Sequence, residues 1–265
     1  MGGILFVNPR SGAGTPRADE LVAEAGRLGV EARVLHARED PAALARTADA
    51  DVLGVAGGDG SLAQVAAVAV ERGLPFACVP VGTHNHFARD LGLDHDDWPK
   101  ALSAFGSSRE RRVDVGRVDG RLFLNNVSFG LYAQLVHRRE AHRRRRDAFA
   151  RLRALWLSLR ERRAVGLVVD GERVAARVVL VANNAYELDL FDVGARERLD
   201  EGALHAYVAE GWLPTAWEER VGTSFRIEAA GPLRAAIDGE PVELDSPVEL
   251  RIEPRALRVL LPETG

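Results

Sequence analysis

The first hundred residues alternate between short apolar runs and longer stretches in which Ala, Leu and Glu recur at helical spacing. The apolar runs predict buried strands, and the stretches between them predict crossover helices. Strands that alternate with helices in this way are typical of the parallel sheet of an α/β domain. The predicted strands are Ile4–Val7, Glu31–Leu35, Val52–Ala56 and Phe76–Val79, and the predicted helices are Pro16–Leu28, Pro41–Ala48 and Leu62–Arg72.

After about Val113 the pattern changes to short runs in which apolar and polar residues alternate, which predicts antiparallel strands. Asp-Gly pairs predict hairpin turns at Asp119–Gly120, Asp170–Gly171 and Asp238–Gly239. The predicted strands are Gly116–Val118, Arg121–Asn125, Val165–Val169, Arg173–Ala182, Ala203–Ala209, Ser224–Glu228, Leu233–Ile237, Pro247–Ile252 and Ala256–Leu260. We therefore expect an α/β domain over residues 1–115 and a β-rich domain over residues 116–265 with a helical insertion at 132–163. We expect the last strand either to stay in the β-rich domain or to return to the α/β domain.

The composition predicts a folded chain without a membrane span or a secretion signal. With 265 residues, 46% of them hydrophobic and 28% charged, the chain can bury a core, which excludes the disordered and fibrous classes. No apolar run approaches the roughly 18–20 residues that cross a bilayer, and the N-terminus shows neither a basic leader nor a cleavage site. The single cysteine, Cys78, excludes an internal disulfide and a cysteine-based zinc site. The expected location is a reducing cytoplasm.

The net charge of −4 conceals one strongly basic segment. Residues 137–163 hold eleven arginines and three acidic residues, so this segment carries +8 and the rest of the chain −12. Within it Phe149, Leu152, Trp156 and Leu159 recur at helical spacing, which predicts a basic amphipathic helix. This helix either binds an anionic membrane surface or is a solvated charged face whose apolar stripe packs on the β-rich domain. Nucleic acid is not an expected partner, because the rest of the chain is acidic and no aromatic-interleaved motif accompanies the arginines.

Three glycine-containing loops follow predicted strands, namely Asn8–Gly12, Gly57–Ser61 and Pro80–Arg89. Loops that follow neighbouring parallel strands meet at one edge of the sheet, where open α/β sheets bind their ligands. Glycine lets the backbone approach a ligand closely, and a helix N-terminus offers unpaired N–H groups to an anion. Ordinary strand-to-helix turns are the alternative interpretation. The chain contains neither the P-loop motif nor a Rossmann glycine motif in its first βα unit.

Asp59 is an unusual member of such a loop, because its carboxylate repels phosphate. We expect Asp59 to work through a metal ion, to accept a proton, to accept a hydrogen bond from a ribose hydroxyl, or simply to cap the turn. Ser61 is a candidate N-cap for the helix that follows.

The order and spacing of these motifs resemble the diacylglycerol kinase catalytic domain family, which includes bacterial diacylglycerol kinase-like lipid kinases, sphingosine kinases and ceramide kinases. The resemblance covers nearly the whole chain. It implies an α/β N-terminal domain related to NAD kinases and phosphofructokinases, a C-terminal antiparallel β-sandwich-like domain, and an active site in the cleft between them. The matching stretches are Asn8–Gly12, Gly57–Ser61, Pro80–Arg89, Asp114–Arg117, Phe123–Gly130, Arg198–Leu204 and Asp238–Glu240.

The resemblance also implies a role for each residue that matches a family motif. ATP would be bound by Asn8, Ser11, Gly57, Gly58, Asp59, Gly60, Ser61, Gly82, Thr83 and Asn85. Asp238 would be the general base that takes the proton of a lipid hydroxyl, with Glu240 as a supporting acid and Asp59 as a further catalytic carboxylate. A Mg²⁺ ion would bind Glu201, helped by the carbonyl oxygens of Arg198 and Ala203. Many members of the family have Asp at the position of Glu201.

Two histidines depart from the family pattern. His84 stands where the family usually has glycine, and His86 stands where it usually has an acid. They either narrow the nucleotide pocket, change the preferred nucleotide, or face solvent at the rim of the pocket.

These observations predict an ATP-dependent lipid kinase that phosphorylates a hydroxyl of diacylglycerol or a related lipid and uses Mg²⁺. Phosphoryl transfer needs positioned phosphates, a cation and a base near the attacking hydroxyl, and the motifs supply candidates for each. The expected partners are ATP, a membrane lipid and an anionic membrane surface, so a peripheral position at the inner face of the membrane is expected; a homodimer is left open. The alternatives are a kinase that acts on a soluble alcohol or on NAD, and a non-catalytic protein that binds nucleotide or lipid.

Overall fold

The computed structural model describes residues 2–12, 16–82, 85–130, 166–174, 176–187, 195–210 and 217–263. The predicted basic helix at 132–163 lies outside the described residues, as do Thr83 and His84. The chain divides into two compact units. The first unit consists of Met1–Val115, Glu197–Asp200 and Pro254–Gly265, and the second consists of Gly116–Arg196 and Glu201–Glu253.

The first unit contains a parallel sheet with helices between its strands. Its strands are β1 (Gly3–Val7), β2 (Glu31–Val34), β3 (Val52–Gly57) and β4 (Phe76–Pro80), followed by the long strand β5 (Ser108–Val118) that leads into the second unit. Its helices are α1 (Ala18–Arg27), α2 (Pro41–Thr47), α3 (Asp59–Arg72), α4 (His86–Asp90) and α5 (Trp98–Leu102), with a 3₁₀ turn at Ser103–Phe105.

The local sequence explains where these helices begin and end. Asp40 accepts the N–H of Ala42 as the N-cap of α2, whose first residue is a proline. α3 ends at Gly73, which adopts the left-handed conformation (φ 64°) that glycine tolerates best. The strand order is β2-β1-β3-β4 with parallel pairing, which confirms the predicted α/β sheet.

The remaining strands, in chain order, are β6 (Arg121–Phe123), β7 (Asn126–Gly130), β8 (Leu167–Val169), β9 (Glu172–Val174), β10 (Ala176–Asn183), β11 (Leu204–Glu210), β12 (Glu218–Gly222), β13 (Ser224–Glu228), β14 (Leu233–Ile237), β15 (Glu240–Leu244) and β16 (Val248–Pro262). In the second unit β12-β11-β10-β7-β14-β15 form one antiparallel sheet. β13 pairs with the first half of β16 and with β8. Side chains of both sets of strands, including Phe129, Val181, Phe225 and Leu250, pack in one buried cluster. The predicted antiparallel, sandwich-like arrangement is confirmed.

The last strand differs from the prediction, which divided it into two. β16 is continuous, and its second half pairs in parallel with β4 through Val259 and Leu260. Pro254 lacks an N–H group and predicts a break, but the next N–H, that of Arg255, donates to Asp114 Oδ1 at 2.7 Å. A side-chain acceptor on β5 therefore binds the N–H that follows the proline, and the strand continues past Pro254.

Three strands were not predicted, and each has a physical reason. β12 and β15 lie at the two edges of the six-stranded sheet, where exposed glutamates replace the apolar alternation that predicts a strand. β7 lies in the middle of that sheet but contains Asn126, Ser128 and Gly130. Polar and small residues of this kind do not predict a buried strand.

All three Asp-Gly pairs form the predicted hairpin turns. φ is positive at both residues of each pair: 47° and 73° at Asp119–Gly120, 49° and 85° at Asp170–Gly171, and 47° and 82° at Asp238–Gly239. Positive φ at both central residues is the requirement of a type I′ turn, which Asp-Gly satisfies well.

Within the part of the chain that the structure describes, we find no helix whose length and apolar character would suit it to crossing a bilayer.

One close contact in the first unit predicts a stability difference between two glycine-to-alanine variants. A Cβ atom at Gly54 of β3 would lie 2.4 Å from Cζ of Phe105 and 3.1 Å from the carbonyl oxygen of Ala77, whereas one at Gly26 of α1 would meet nothing within 4 Å. We expect Gly54→Ala to lower the free energy of unfolding by about 1–3 kcal/mol, because the ring and the backbone must move apart. Gly26→Ala should raise it by up to about 1 kcal/mol, because alanine favours the helix. Urea unfolding measures both, and a Gly54→Ala variant as stable as the wild type would contradict the described packing.

Candidate active site

The first two glycine-containing loops touch each other at the carboxyl ends of β1 and β3. Nδ2 of Asn8 donates to Oγ of Ser61 at 2.8 Å, and the N–H of Gly58 donates to Oγ of Ser11 at 3.2 Å. A Cβ atom at Gly57 would lie 2.9 Å from Cβ of Ser61. The two loops are therefore joined by side-chain hydrogen bonds, and Gly57 leaves room for the Ser61 side chain within the second loop.

The third loop approaches the second at the end of β4. A Cβ atom at Gly82 would lie 2.5 Å from Cα of Gly58, so the two backbones are in contact. Asn85 closes the third loop on itself, because its Oδ1 accepts the N–H of Gly82 at 3.0 Å and its Nδ2 donates to the carbonyl of Gly82 at 2.7 Å. The structure thus brings together the residues in these loops that sequence analysis assigned to ATP, except Thr83, which is not described. Their binding of ATP stays a prediction.

The N-terminus of α3 differs from the prediction at Ser61. The helix begins at Asp59 and its N-cap is Gly58, so Ser61 lies inside the first turn and is not the cap. Its hydroxyl accepts from Asn8 instead. Because Gly58 has no side chain, it cannot cap the first N–H groups of α3.

Asp59 connects the second loop to the third. It is 9% exposed, and its two carboxylate oxygens accept the N–H groups of His86 at 3.3 Å and of Phe87 at 3.4 Å. These N–H groups open α4, so the carboxylate caps the neighbouring helix from outside it. The carboxylate thus caps α4 rather than its own turn, whereas a role of Asp59 toward metal, proton or ribose stays a prediction. The side chain of His86 is exposed.

Two further features lie beside the loops. A cavity of about 180 Å³ is lined by residues of the first loop, including Asn8 and Ser11, and by Arg17 and Leu21 near the start of α1. On β4, burial, reinforced by the negative charge of Asp59, raises the pKa of the Cys78 thiol. The thiol therefore stays protonated at neutral pH and is not a candidate nucleophile.

In the second unit Asp238 accepts an unusual number of backbone hydrogen bonds. Its Oδ2 accepts the N–H of Leu124 at 2.8 Å, and its Oδ1 accepts those of Asn125 at 2.7 Å and Asn126 at 3.1 Å. Asp170, in the same type of turn, accepts one backbone N–H, that of Arg226 at 2.7 Å. Three N–H donors on one carboxylate favour its ionised form, which is the form that a general base needs.

Glu240 begins β15, two residues after Asp238, and its side chain is exposed. The structure therefore places this predicted supporting acid beside the Asp238 turn. Its role in catalysis stays a prediction.

Arg196 and Asn183, which no sequence motif indicates, contact the Leu124–Asn126 segment. Nη1 of Arg196 donates to the carbonyl oxygen of Leu124 at 2.7 Å, and Nδ2 of Asn183 donates to the same oxygen at 3.0 Å. Both side chains are buried. No signal in the sequence separates Arg196 from the many other arginines of this chain, because its distinction is burial.

Two of the predicted Mg²⁺ ligands, Glu201 and the carbonyl oxygen of Ala203, accept hydrogen bonds within the protein. Oε2 of Glu201 accepts the N–H of Ala185 at 3.0 Å and lies 3.2 Å from Nε2 of His205. The carbonyl oxygen of Ala203 accepts the N–H of Asn184 at 3.1 Å. Arg198 precedes Glu201 by three residues in the chain, and its carbonyl oxygen stays a predicted ligand.

Among the described residues, no three His, Cys, Asp or Glu side chains come together in a group that could hold a metal ion. A Mg²⁺ site made of Glu201 and backbone carbonyl oxygens is a different kind of group, and it stays a prediction.

The contacts of Asp59 predict the effect of removing one of its carboxylate oxygens. In Asp59→Asn only one acceptor oxygen remains for the N–H groups of His86 and Phe87, so we expect the free energy of unfolding to fall by about 1–3 kcal/mol. Exchange of these two amide protons should accelerate, measured by hydrogen exchange and NMR. The control is Asp51→Asn, because Asp51 is exposed and accepts the N–H of Gly2, which is not part of a helix. Equal exchange at His86 and Phe87 in both variants would contradict the capping role.

Known proteins resemble this chain in sequence. Residues 3–118 match the family model described as the diacylglycerol kinase catalytic domain. A diacylglycerol kinase of Bacillus subtilis (strain 168) is 33% identical over 89 residues, which cover 33% of this chain and 29% of that enzyme. A Pseudomonas aeruginosa PAO1 protein named "Probable lipid kinase YegS-like" is 27% identical over 295 residues, which cover 98% of this chain and 94% of its own length.

Solved structures show the same fold. The crystal structure of a diacylglycerol kinase from Bacillus anthracis str. Sterne matches with a TM-score of 0.70 and 18% identity, over 98% of this chain and 96% of that one. The resemblance carried by the loop motifs is confirmed: residues 3–118 match the diacylglycerol kinase catalytic domain, and the similar proteins include diacylglycerol kinases and probable lipid kinases.

Proposed function

We propose that this protein is an ATP-dependent lipid kinase that transfers the γ-phosphoryl group of ATP to a hydroxyl of diacylglycerol or a related lipid. The product would be of the phosphatidate type. The proposal is carried by the Asp238 carboxylate, held by three backbone N–H groups, in a chain whose residues 3–118 match the diacylglycerol kinase catalytic domain. The other Asp-Gly turns share its backbone conformation, so the turn alone does not explain these contacts.

The loops of the first unit suit the phosphate groups of a nucleotide. Gly57, Gly58 and Gly82 allow a close backbone approach, and the first turn of α3 presents N–H groups there. The partial positive charge at a helix N-terminus favours an anion. Mg²⁺ bound with the nucleotide would neutralise the charge that develops on the transferred phosphoryl group.

Asp238 would act on the acceptor. As the hydroxyl oxygen of the lipid forms its bond to the γ-phosphorus, the bond from that phosphorus to the bridging oxygen of ADP breaks. The hydroxyl proton passes to the Asp238 carboxylate. A carboxylate that is already ionised and oriented suits this proton transfer, which is worth about 10²–10⁴-fold in rate.

Two features support a lipid as the acceptor. The Pseudomonas aeruginosa relative that aligns along nearly the whole chain is named as a lipid kinase. The sequence also contains the basic segment at residues 137–163, with its apolar residues at helical spacing. We propose that this segment binds the anionic surface of the cytoplasmic membrane, where each basic residue contributes about 1 kcal/mol of attraction.

Replacement of Asp238 tests the proposed base. The wild type should transfer radiolabelled phosphate from ATP to at least one acceptor in a panel of diacylglycerol, other hydroxyl lipids, soluble alcohols and NAD. Asp238→Asn should lower kcat by about 10²–10⁴-fold, because the amide cannot accept the proton. Asp170→Asn is the matched control, with the same turn in the same unit, and should retain activity.

The same panel separates the alternatives. Labelling of a soluble alcohol or NAD alone would overturn the lipid assignment and favour another kinase of the superfamily. Binding of ATP without labelling of any acceptor would favour a non-catalytic binding protein. Full activity of Asp238→Asn would show that Asp238 is not the base.

The membrane proposal has its own test. Arg143, Arg144, Arg145 and Arg146 changed together to Glu should release the protein from vesicles that contain anionic phospholipid, measured by co-sedimentation, because the attraction becomes repulsion. The control is a second variant in which four other arginines are changed to Glu, which gives the same change in net charge. Its four sites are the exposed arginines Arg38, Arg109, Arg173 and Arg234, and its binding should persist. Equal vesicle binding by both variants would overturn the role of the basic segment.

A further inference from the structure

Arg196 is one of the most deeply buried charged side chains of the described residues, at 2% exposure. Its Nη1 donates to the carbonyl oxygens of Leu124 at 2.7 Å and Asn183 at 2.8 Å, and its Nη2 donates to Oδ1 of Asn125 at 2.9 Å. Its guanidinium carbon also lies 5.4 Å from the centre of the Tyr186 ring. Arginine is almost never buried to this extent unless its planar set of donors is satisfied. These contacts fix the guanidinium in one orientation.

The same contacts reach Asp238 through a single peptide group. The carbonyl oxygen of Leu124 accepts from Arg196, and the N–H of Asn125, which belongs to the same peptide group, donates to Oδ1 of Asp238 at 2.7 Å. This group is planar, so a shift at its oxygen also moves its N–H. A cation at the oxygen and an anion at the N–H polarise the peptide group in the same direction, which strengthens both hydrogen bonds.

Each residue whose N–H binds Asp238 is held by a second contact. Leu124 is held through its carbonyl oxygen by Arg196 and Asn183, and Asn125 is held through its side-chain oxygen by Arg196. Asn126 is held by its Nδ2, which donates to the hydroxyl of Tyr186 at 3.2 Å. Arg196 contacts two of the three residues directly and lies against the ring of the tyrosine that holds the third.

We propose that Arg196 is a positioning residue for phosphoryl transfer, which holds the N–H groups of Leu124–Asn126 in the geometry that orients the Asp238 carboxylate. It acts through the peptide group between Leu124 and Asn125 and does not itself touch the substrate. This inference rests on the proposed function, because it concerns the same proton transfer.

The variants Arg196→Lys and Arg196→Met test the proposal by a split between kcat and KM. Lysine keeps the charge but cannot supply two nitrogens in a fixed plane, and methionine keeps much of the side-chain volume without charge or donors. Both should lower kcat by about 10²-fold, since a small misplacement of a catalytic group has an effect of this size. The KM for ATP should stay within about twofold of the wild type, because other residues form the proposed ATP loops.

A double-mutant cycle with Asp238 separates positioning from general stability. If Arg196 acts through Asp238, adding Arg196→Met to Asp238→Asn should lower kcat little further, because residues that act as a unit give non-additive effects. Losses that multiply in the double variant would overturn the proposal and leave Arg196 with a structural role. Arg117→Met is the matched control. Arg117 lies in the same unit, pairs with Glu253 and donates to the carbonyl of Gly120 in another Asp-Gly turn, so its replacement should leave kcat unchanged.

Hydrogen exchange gives a readout that does not need catalysis. Exchange of the amide protons of Leu124, Asn125 and Asn126 should accelerate in the Arg196 variants, while those in the centre of β11 exchange as in the wild type. If Arg196→Met fails to fold, Arg196→Lys carries both comparisons. Unchanged kcat and unchanged exchange in an active enzyme would overturn the role of Arg196 and leave the proposed function intact. A wild type that phosphorylates no acceptor would overturn the proposed function itself.

Discussion

Buried backbone N–H groups that leave the regular hydrogen-bond ladders must find another acceptor, and in this protein carboxylates supply it. Asp59 accepts two such groups at the start of α4, Asp114 accepts that of Arg255 within β16, and Asp238 accepts three between β6 and β7. An unpaired buried amide costs about 1–3 kcal/mol, so each carboxylate stabilises the turn or bend that it serves. The same three positions mark the third loop, the return of the last strand and the proposed catalytic base.

The hydrogen bonds that stabilise the fold at Asp59 and Asp238 are therefore also those that orient the side chains of the proposed site. The N–H groups of Leu124–Asn126 orient the Asp238 carboxylate and are themselves held by it. The Asp59 carboxylate caps α4 and thereby joins two of the proposed ATP loops. Loss of one carboxylate oxygen is expected to affect stability and activity together. Asp170 shares the turn conformation of Asp238 but accepts a single backbone N–H, that of Arg226, so the extra amide contacts are particular to Asp238.

Glycine sets the second constraint, because it determines how closely backbones approach. At Gly82 an added Cβ atom would lie 2.5 Å from the backbone of Gly58 in the second loop, and at Gly57 it would lie 2.9 Å from the side chain of Ser61 in the same loop. At Gly54 it would meet the ring of Phe105. The loop glycines agree with the family motifs, whereas the contact of Gly54 depends on a side chain 51 residues away in the chain, which no local pattern indicates.

The parallel sheet, the hairpin turns and the three loops are predictable from the sequence, because hydrophobic periodicity, Asp-Gly pairs and glycine clusters are local properties of the chain. Its motifs also indicate the resemblance that the domain match confirms. The folded chain was needed to see that β16 is one strand, that Gly58 and not Ser61 caps α3, and that β7, β12 and β15 exist. It alone assigned amide partners to Asp59 and Asp238 and buried Arg196 behind Leu124. These outcomes depend on which acceptor lies next to a given N–H group after folding, and residues more than a hundred positions apart, such as Leu124 and Asp238, become neighbours only then.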